Sequence, residues 1–119
     1  MIFEVVYLLR EATKITDQHE VYIPIKSLRD VIFKELLEED NIVIYPSEAE
    51  LNEDIKTLQK LSFFAVKEDK IVINRESFLS ATKFIERQKE LLKNDAYATT
   101  IFKKLKQRAP QLLQQESAQ

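Results

Sequence analysis

Not one glycine occurs in the 119 residues of this chain. Ordinary sequences carry about 7% glycine, because it alone enters left-handed backbone conformations without a steric penalty. Its absence removes the glycine-rich phosphate loop, the dinucleotide fingerprint and the glycine-hinged lid from the available structures. It also predicts a hairpin loop longer than two residues, since two-residue turns favour Asn-Gly or Asp-Gly. There is no cysteine and a single histidine, His19, so zinc sites of the usual ligand sets and cysteine nucleophiles are excluded as well. Carboxylate pairs such as Glu38-Glu39 have no distinctive spacing, and acid–base catalysis has no specific support. The expectation is a protein that is not an enzyme and holds neither cofactor nor metal.

Hydrophobic residues make up 45% and charged residues 32% of the chain, the composition and length of one globular domain. The net charge of -2 conceals an asymmetry: residues 83–108 hold eight Lys/Arg against three Asp/Glu, while residues 1–82 hold ten against sixteen. A basic segment attracts nucleic acid, anionic lipid or an acidic partner, or is simply a solvated helix face. The apolar start, MIFEVVYLLREATK, lacks the basic region and cleavage site of a signal peptide. No stretch approaches the roughly 20 apolar residues needed to span a bilayer. The expected location is the cytoplasm, with no membrane partner.

Hydrophobic spacing orders the chain. Ile2, Val5, Val6, Leu9 and Ala12 predict a helix over 2–14 with one buried face, a strand being the alternative for so short a run. Val21–Ile25 reads as a strand that Pro24 confines to an edge or an end. Ser27 is expected to cap a second helix with Asp30 three residues on, and Asn41 to end it in a left-handed cap. Glu38, Glu39 and Asp40 oppose the dipole at that end. Ser47 and Glu50 form a capping box for a third helix that buries Leu51, Ile55, Leu58 and Leu61. Phe63–Val66 and Ile71–Asn74 flank a polar tip and predict a hairpin. Residues 76–109 read as helix, which Asn94-Asp95 could divide in two with Asp95 capping the second. Phe84, Leu91, Ala98 and Leu105 recur there every seven residues, a seam suited to a partner helix or to the chain's own core. Pro110 and the glutamine-rich tail to Gln119 are expected to fray.

The resulting fold class is α+β, mostly α. Helix, strand, helix, helix, hairpin, helix is the order of a winged helix-turn-helix domain, which the chain resembles over residues 2–75. The most specific stretch runs from Ile55 to Phe64 and on through Asn74, like the end of a recognition helix, a tight turn and a wing; Ser62 stands where such domains often carry glycine. The expected units are a winged-helix domain (1–75), a long carboxyl-terminal helix or helix pair for dimerisation (76–109) and a tail (110–119).

The resemblance implies a third helix in the major groove and a wing tip on phosphate. Asn52, Lys56, Thr57 and Lys60 would face bases or backbone, and Lys67, Lys70 and Arg75 would contact phosphate. Glu48, Glu50, Glu53 and Asp54 lie on the same helix; the first two belong to its cap, and the last two would repel phosphate. The function implied is that of a dimeric transcription regulator on double-stranded DNA, with Phe84, Leu91, Ala98 and Leu105 between its subunits. The alternative is a winged-helix module that binds another protein, or an accessory subunit of a larger assembly, without DNA binding of its own.

Overall fold

The computed structural model describes residues 2–113. The chain is α+β and mostly helical, with one three-stranded antiparallel sheet. Its elements are α1 (Ile2–Lys14), β1 (Glu20–Pro24), α2 (Ile25–Asp30), α3 (Glu48–Lys60), β2 (Ala65–Lys67), β3 (Lys70–Asn74), α4 (Arg75–Ala81), α5 (Phe84–Leu91) and α6 (Ala96–Arg108). After Asp30, α2 continues as a π-helical segment, Val31–Glu39. None of the described helices is long and apolar enough to cross a membrane.

Helix α1 is the centre of the molecule rather than a helix with one buried face. Every residue from Val5 to Thr13 is buried, Arg10 and Glu11 included. The reason is that the carboxyl-terminal helices cover the side that the sequence pattern leaves to solvent. Phe102 of α6 packs its ring 5.7 Å from that of Phe3 and 5.2 Å from that of Tyr7. Lys89 of α5 stands over the Tyr7 ring, and Glu86 accepts from Arg10 Nη1 at 2.6 Å. One cluster of buried residues therefore runs from α1 through the sheet to Phe78, Ile85, Ile101, Leu105, Ala109 and Leu112.

The sheet has the order β1-β3-β2, so β1 is an edge strand and Pro24 ends it. The second helix starts at Ile25, two residues before the expected Ser27 cap. Ser27 is buried inside it, its hydroxyl without a partner among the described residues. The Asp69 carbonyl at the hairpin tip accepts from the Ile25 N–H at 2.9 Å and so meets one of the open amides of the first turn. Val31 and Leu36 are both buried five residues apart, a spacing that the wider π turn lines up on one face. Asn41, at φ 60°, ends the segment in the expected left-handed conformation. The acids that oppose the helix dipole there meet a cation from α6. Arg108 donates to Asp40 at 2.9 Å through both Nε and Nη2, to Glu35 at 3.2 Å and to Glu39 at 3.3 Å.

Residues 75–108 form three helices, not one or two. Asn74, unrecognised in the sequence, caps α4 by accepting from the Ser77 N–H, and Asp95 caps α6 by accepting from the Ala98 N–H. The unforeseen break at Thr82-Lys83 turns α5 back towards α1; the buried Thr82 hydroxyl bonds the Phe78 carbonyl at 2.7 Å. In the segment expected to fray, Leu112 is fully buried, while 114–119 lie outside the described residues.

Candidate nucleic-acid interface

Helix α3 begins as the sequence predicts: the extended Ser47 accepts from the Glu50 N–H through its hydroxyl. Leu51, Ile55 and Leu58 face the core, but Leu61 is 61% exposed. The helix stops before Leu61 can turn inward. Ser62 adopts φ 67°, and the Phe63 N–H returns to the Leu58 carbonyl while the Ser62 N–H returns to that of Gln59. This is the double hydrogen bond of a Schellman ending, here made with serine at the position that favours glycine.

The hairpin contradicts the expectation of a longer loop. Lys67 and Lys70 are paired, which leaves only Glu68 and Asp69 at the tip, at φ 51° and 63°. Two central residues with positive φ are what a type I′ turn requires. Without glycine the chain meets that requirement with two acids; Asp tolerates the region better than most residues, Glu less.

The start of α2 links the hairpin tip with the start of α3. Arg29 Nε of α2 lies 3.8 Å from Glu48 Oε1 at the start of α3. A hollow of about 430 Å³ between the start of α2 and the hairpin tip is lined by Lys26, Arg29 and Lys70 together with Glu68 and Asp69. A second, of about 590 Å³, lies between the end of α3, the sheet and α4, with Gln59, Phe63, Lys67, Glu20, Ser77 and Ala81 on its walls. Of the expected site residues, Lys56, Thr57, Lys60 and Lys67 are exposed, and Asn52 and Lys70 are half-buried. Sequence reasoning missed Lys26 and Arg29; a helix beginning directly after Pro24 would have placed both in its first turns.

Arg75 is the expected phosphate contact that the fold places elsewhere. It starts α4 at the far end of β3 from the tip, roughly 16 Å away for a five-residue strand. Its Nε donates to the Thr16 carbonyl at 2.7 Å and its N–H to that of His19 at 2.9 Å. Arg75 thus fastens the α1–β1 connection, which also accounts for the position of His19.

The acids of α3 are partners as much as obstacles. The Tyr45 hydroxyl donates to Asp54, and burial together with that carboxylate holds the phenol well above its ordinary range. Glu53 lies 3.8 Å from Lys56. Helices α2 and α3 and the hairpin carry Lys26, Arg29, Lys56, Lys60, Lys67 and Lys70 against Asp30, Glu48, Glu50, Glu53, Asp54, Glu68 and Asp69, and are together close to neutral.

The expected seven-residue stripe is divided by the break between α5 and α6. Phe84 and Leu91 are 44% and 69% exposed on α5, Ala98 is half-buried, and Leu105 belongs to the chain's own core. No family model, no curated protein and no solved structure matches this chain.

Proposed function

We propose that this chain is a winged-helix protein that binds duplex DNA with α3 and the β2–β3 hairpin, as a dimeric regulator of transcription. One observation carries the reading: the start of α2 shares a hollow with the hairpin tip and reaches the start of α3 through Arg29 and Glu48. The winged-helix assignment draws further support from the sheet order, in which the strand after the first helix pairs with the last strand of the hairpin. Asn52 and Thr57 supply groups able to hydrogen-bond base edges, and Lys26, Arg29, Lys56, Lys60, Lys67 and Lys70 supply cations for phosphate.

Salt dependence tests it. Each phosphate neutralised contributes a slope near -0.9 in log affinity against log salt. Replacing Lys67 and Lys70 together with alanine should flatten the slope measured on random duplex by about 2 per subunit. Absence of duplex binding at low salt, or a slope indifferent to both lysines, ends the DNA reading. The near-neutral charge of the same face favours a second one, a module that binds another protein. In that case the two substitutions leave the partner complex almost unchanged, since exposed charges contribute little to stable interfaces.

A further inference from the structure

Away from the α3–hairpin face, an open cleft of about 540 Å³ lies between α1, α4 and the corner that leads to α5. Its lining brings together Arg10, Lys14, Arg75 and Lys83, with Glu76 the only carboxylate among the lining residues. Arg10 is only 7% exposed. Its Nη1 is held by Glu86 at 2.6 Å with Glu11 at 3.9 Å, and its Nε, shielded from solvent, has no hydrogen-bond partner among the described residues. Arginine cannot shed its proton, so an unmet donor at this depth is an uncompensated cost. Lys14 has Glu11 at 3.6 Å. Arg75 spends its Nε on a backbone carbonyl, which leaves its charge unneutralised, and no described carboxylate forms an ion pair with it or with Lys83.

We propose that this cleft binds a small organic phosphate. Cations from three elements (Arg10 in α1, Arg75 at the start of α4, Lys83 in the α4–α5 corner) border one space, and the planar fork of arginine suits phosphate oxygens. Ser80 adds a hydroxyl donor. The volume falls within the roughly 300–1,000 Å³ of small-molecule sites, so a phosphate leaves room for an organic group against Leu79. The distance of Arg75 from the hairpin tip separates this site from the DNA face, and neither proposal depends on the other.

The test is a titration of the full chain with pyrophosphate, followed by backbone amide NMR at ionic strength held constant with chloride. Saturable shifts should concentrate at residues 10–14 and 75–83. Lys83→Gln, an exposed change, should weaken binding by roughly tenfold with the rest of the spectrum intact, and Lys103→Gln on α6 should leave it unchanged. Shifts that chloride reproduces, shifts spread evenly over all lysines, or unaltered affinity in Lys83→Gln would overturn the site. Citrate binding as tightly as pyrophosphate would overturn the assignment to phosphate.

Discussion

The two cationic regions of this molecule hold their ion pairs at different depths. On the α3–hairpin face three cations form solvent-facing ion pairs, Lys26 with Asp30, Arg29 with Glu48 and Lys56 with Glu53, while Lys60, Lys67 and Lys70 form none among the described residues. Elsewhere two arginines are spent as clamps, the buried Arg10 on Glu86 and the half-buried Arg108 on three acids, while Arg75 and Lys83 are left over at the α1–α4 cleft. A balanced surface suits a contact that must discriminate, because unpaired cations attract any phosphate alike. Unbalanced cations around a concave space suit a small anion. Charge counted along the sequence reverses this, since it credits the basic bias to 83–108 as one surface, whereas Arg108 and Lys104 are consumed by Asp40 and its neighbours.

The largest effect is expected where the basic side would assemble. If Phe84 and Leu91 meet a second copy, Leu91→Glu places a carboxylate in that contact and should weaken the dimer by about 3 kcal/mol, more than a hundredfold. Because Leu91 is 69% exposed, the variant should stay folded. Light scattering at micromolar concentration decides: a wild-type mass of one 14.0 kDa chain removes the dimer and with it a two-half-site mode of DNA binding.

Next in size is the Arg108 clamp. Arg108→Gln leaves Glu35 without its cation and Asp40 with only Lys104, 3.8 Å away, at the end of the π-helical segment, and should destabilise the chain by about 2–3 kcal/mol. The hydrogen bond from Arg108 holds the Asp40 carboxyl below its usual range, while burial pushes Glu35 up. A depressed carboxyl stabilises the fold above its unfolded value, near 3.9, and that contribution is lost as the pH falls through the lower folded value. Glu35 has the opposite sign and gains as it is protonated. Urea unfolding of both proteins should therefore differ most near neutrality and converge below about pH 4. A constant difference would mean that Arg108 acts through packing alone.

Much of the first 74 residues was legible because local chemistry decides it: apolar spacing for α1 and α3, Ser47 and Asn41 at helix ends, β-branched runs for the hairpin. Four things were not legible. Ser27 looks like a cap only if the start of α2 is unknown, and at that start the Ile25 N–H donates to the Asp69 carbonyl, 44 residues away. Leu61 fits the apolar period of α3, yet the Ser62 turn ends the helix before it turns inward. The side chains of α3 that read as phosphate-repelling, Glu53 and Asp54, are aimed by Lys56 and by Tyr45, a residue outside the helix. Arg75 follows β3 in sequence and so reads as part of the wing, but the strand carries it to the end of β3 away from the tip.

That last pairing gives a smaller, sharper test. If Asp54 serves α3 by holding Tyr45, Tyr45→Phe should cost about 1 kcal/mol, one hydrogen bond to a charged group whose carboxylate water can partly re-solvate. Asp54→Asn should cost a similar amount, and the double variant should cost less than the two together. Additive costs in a thermal or urea series would show that the two groups act separately. Asp54 would then count as an unpartnered acid on the face that is proposed to meet DNA.

The smallest expected effects return to the missing glycine. Asn41, Ser62, Glu68 and Asp69 all hold positive φ, and a left-handed residue with a Cβ costs about 1–2 kcal/mol. Glycine would remove that cost but adds freedom to the unfolded chain worth roughly 0.5–1 kcal/mol. For Ser62→Gly the difference should be a gain of about 0.5–1 kcal/mol. Asn41→Gly should be close to neutral, because asparagine enters the region readily. At the hairpin tip, Asp69→Gly should gain a few tenths of a kcal/mol, and Glu68→Gly more, since glutamate has less tolerance of that backbone. Urea midpoints should thus rise in the order Asn41, Asp69, Ser62, and a loss of stability in Ser62→Gly would mean that the serine side chain stabilises this turn in a way the backbone does not reveal. All three tip and turn changes lie on the α3–hairpin face, so a variant that gains stability while duplex affinity falls would show that the rigid, glycine-free turns are kept for recognition and not for the fold.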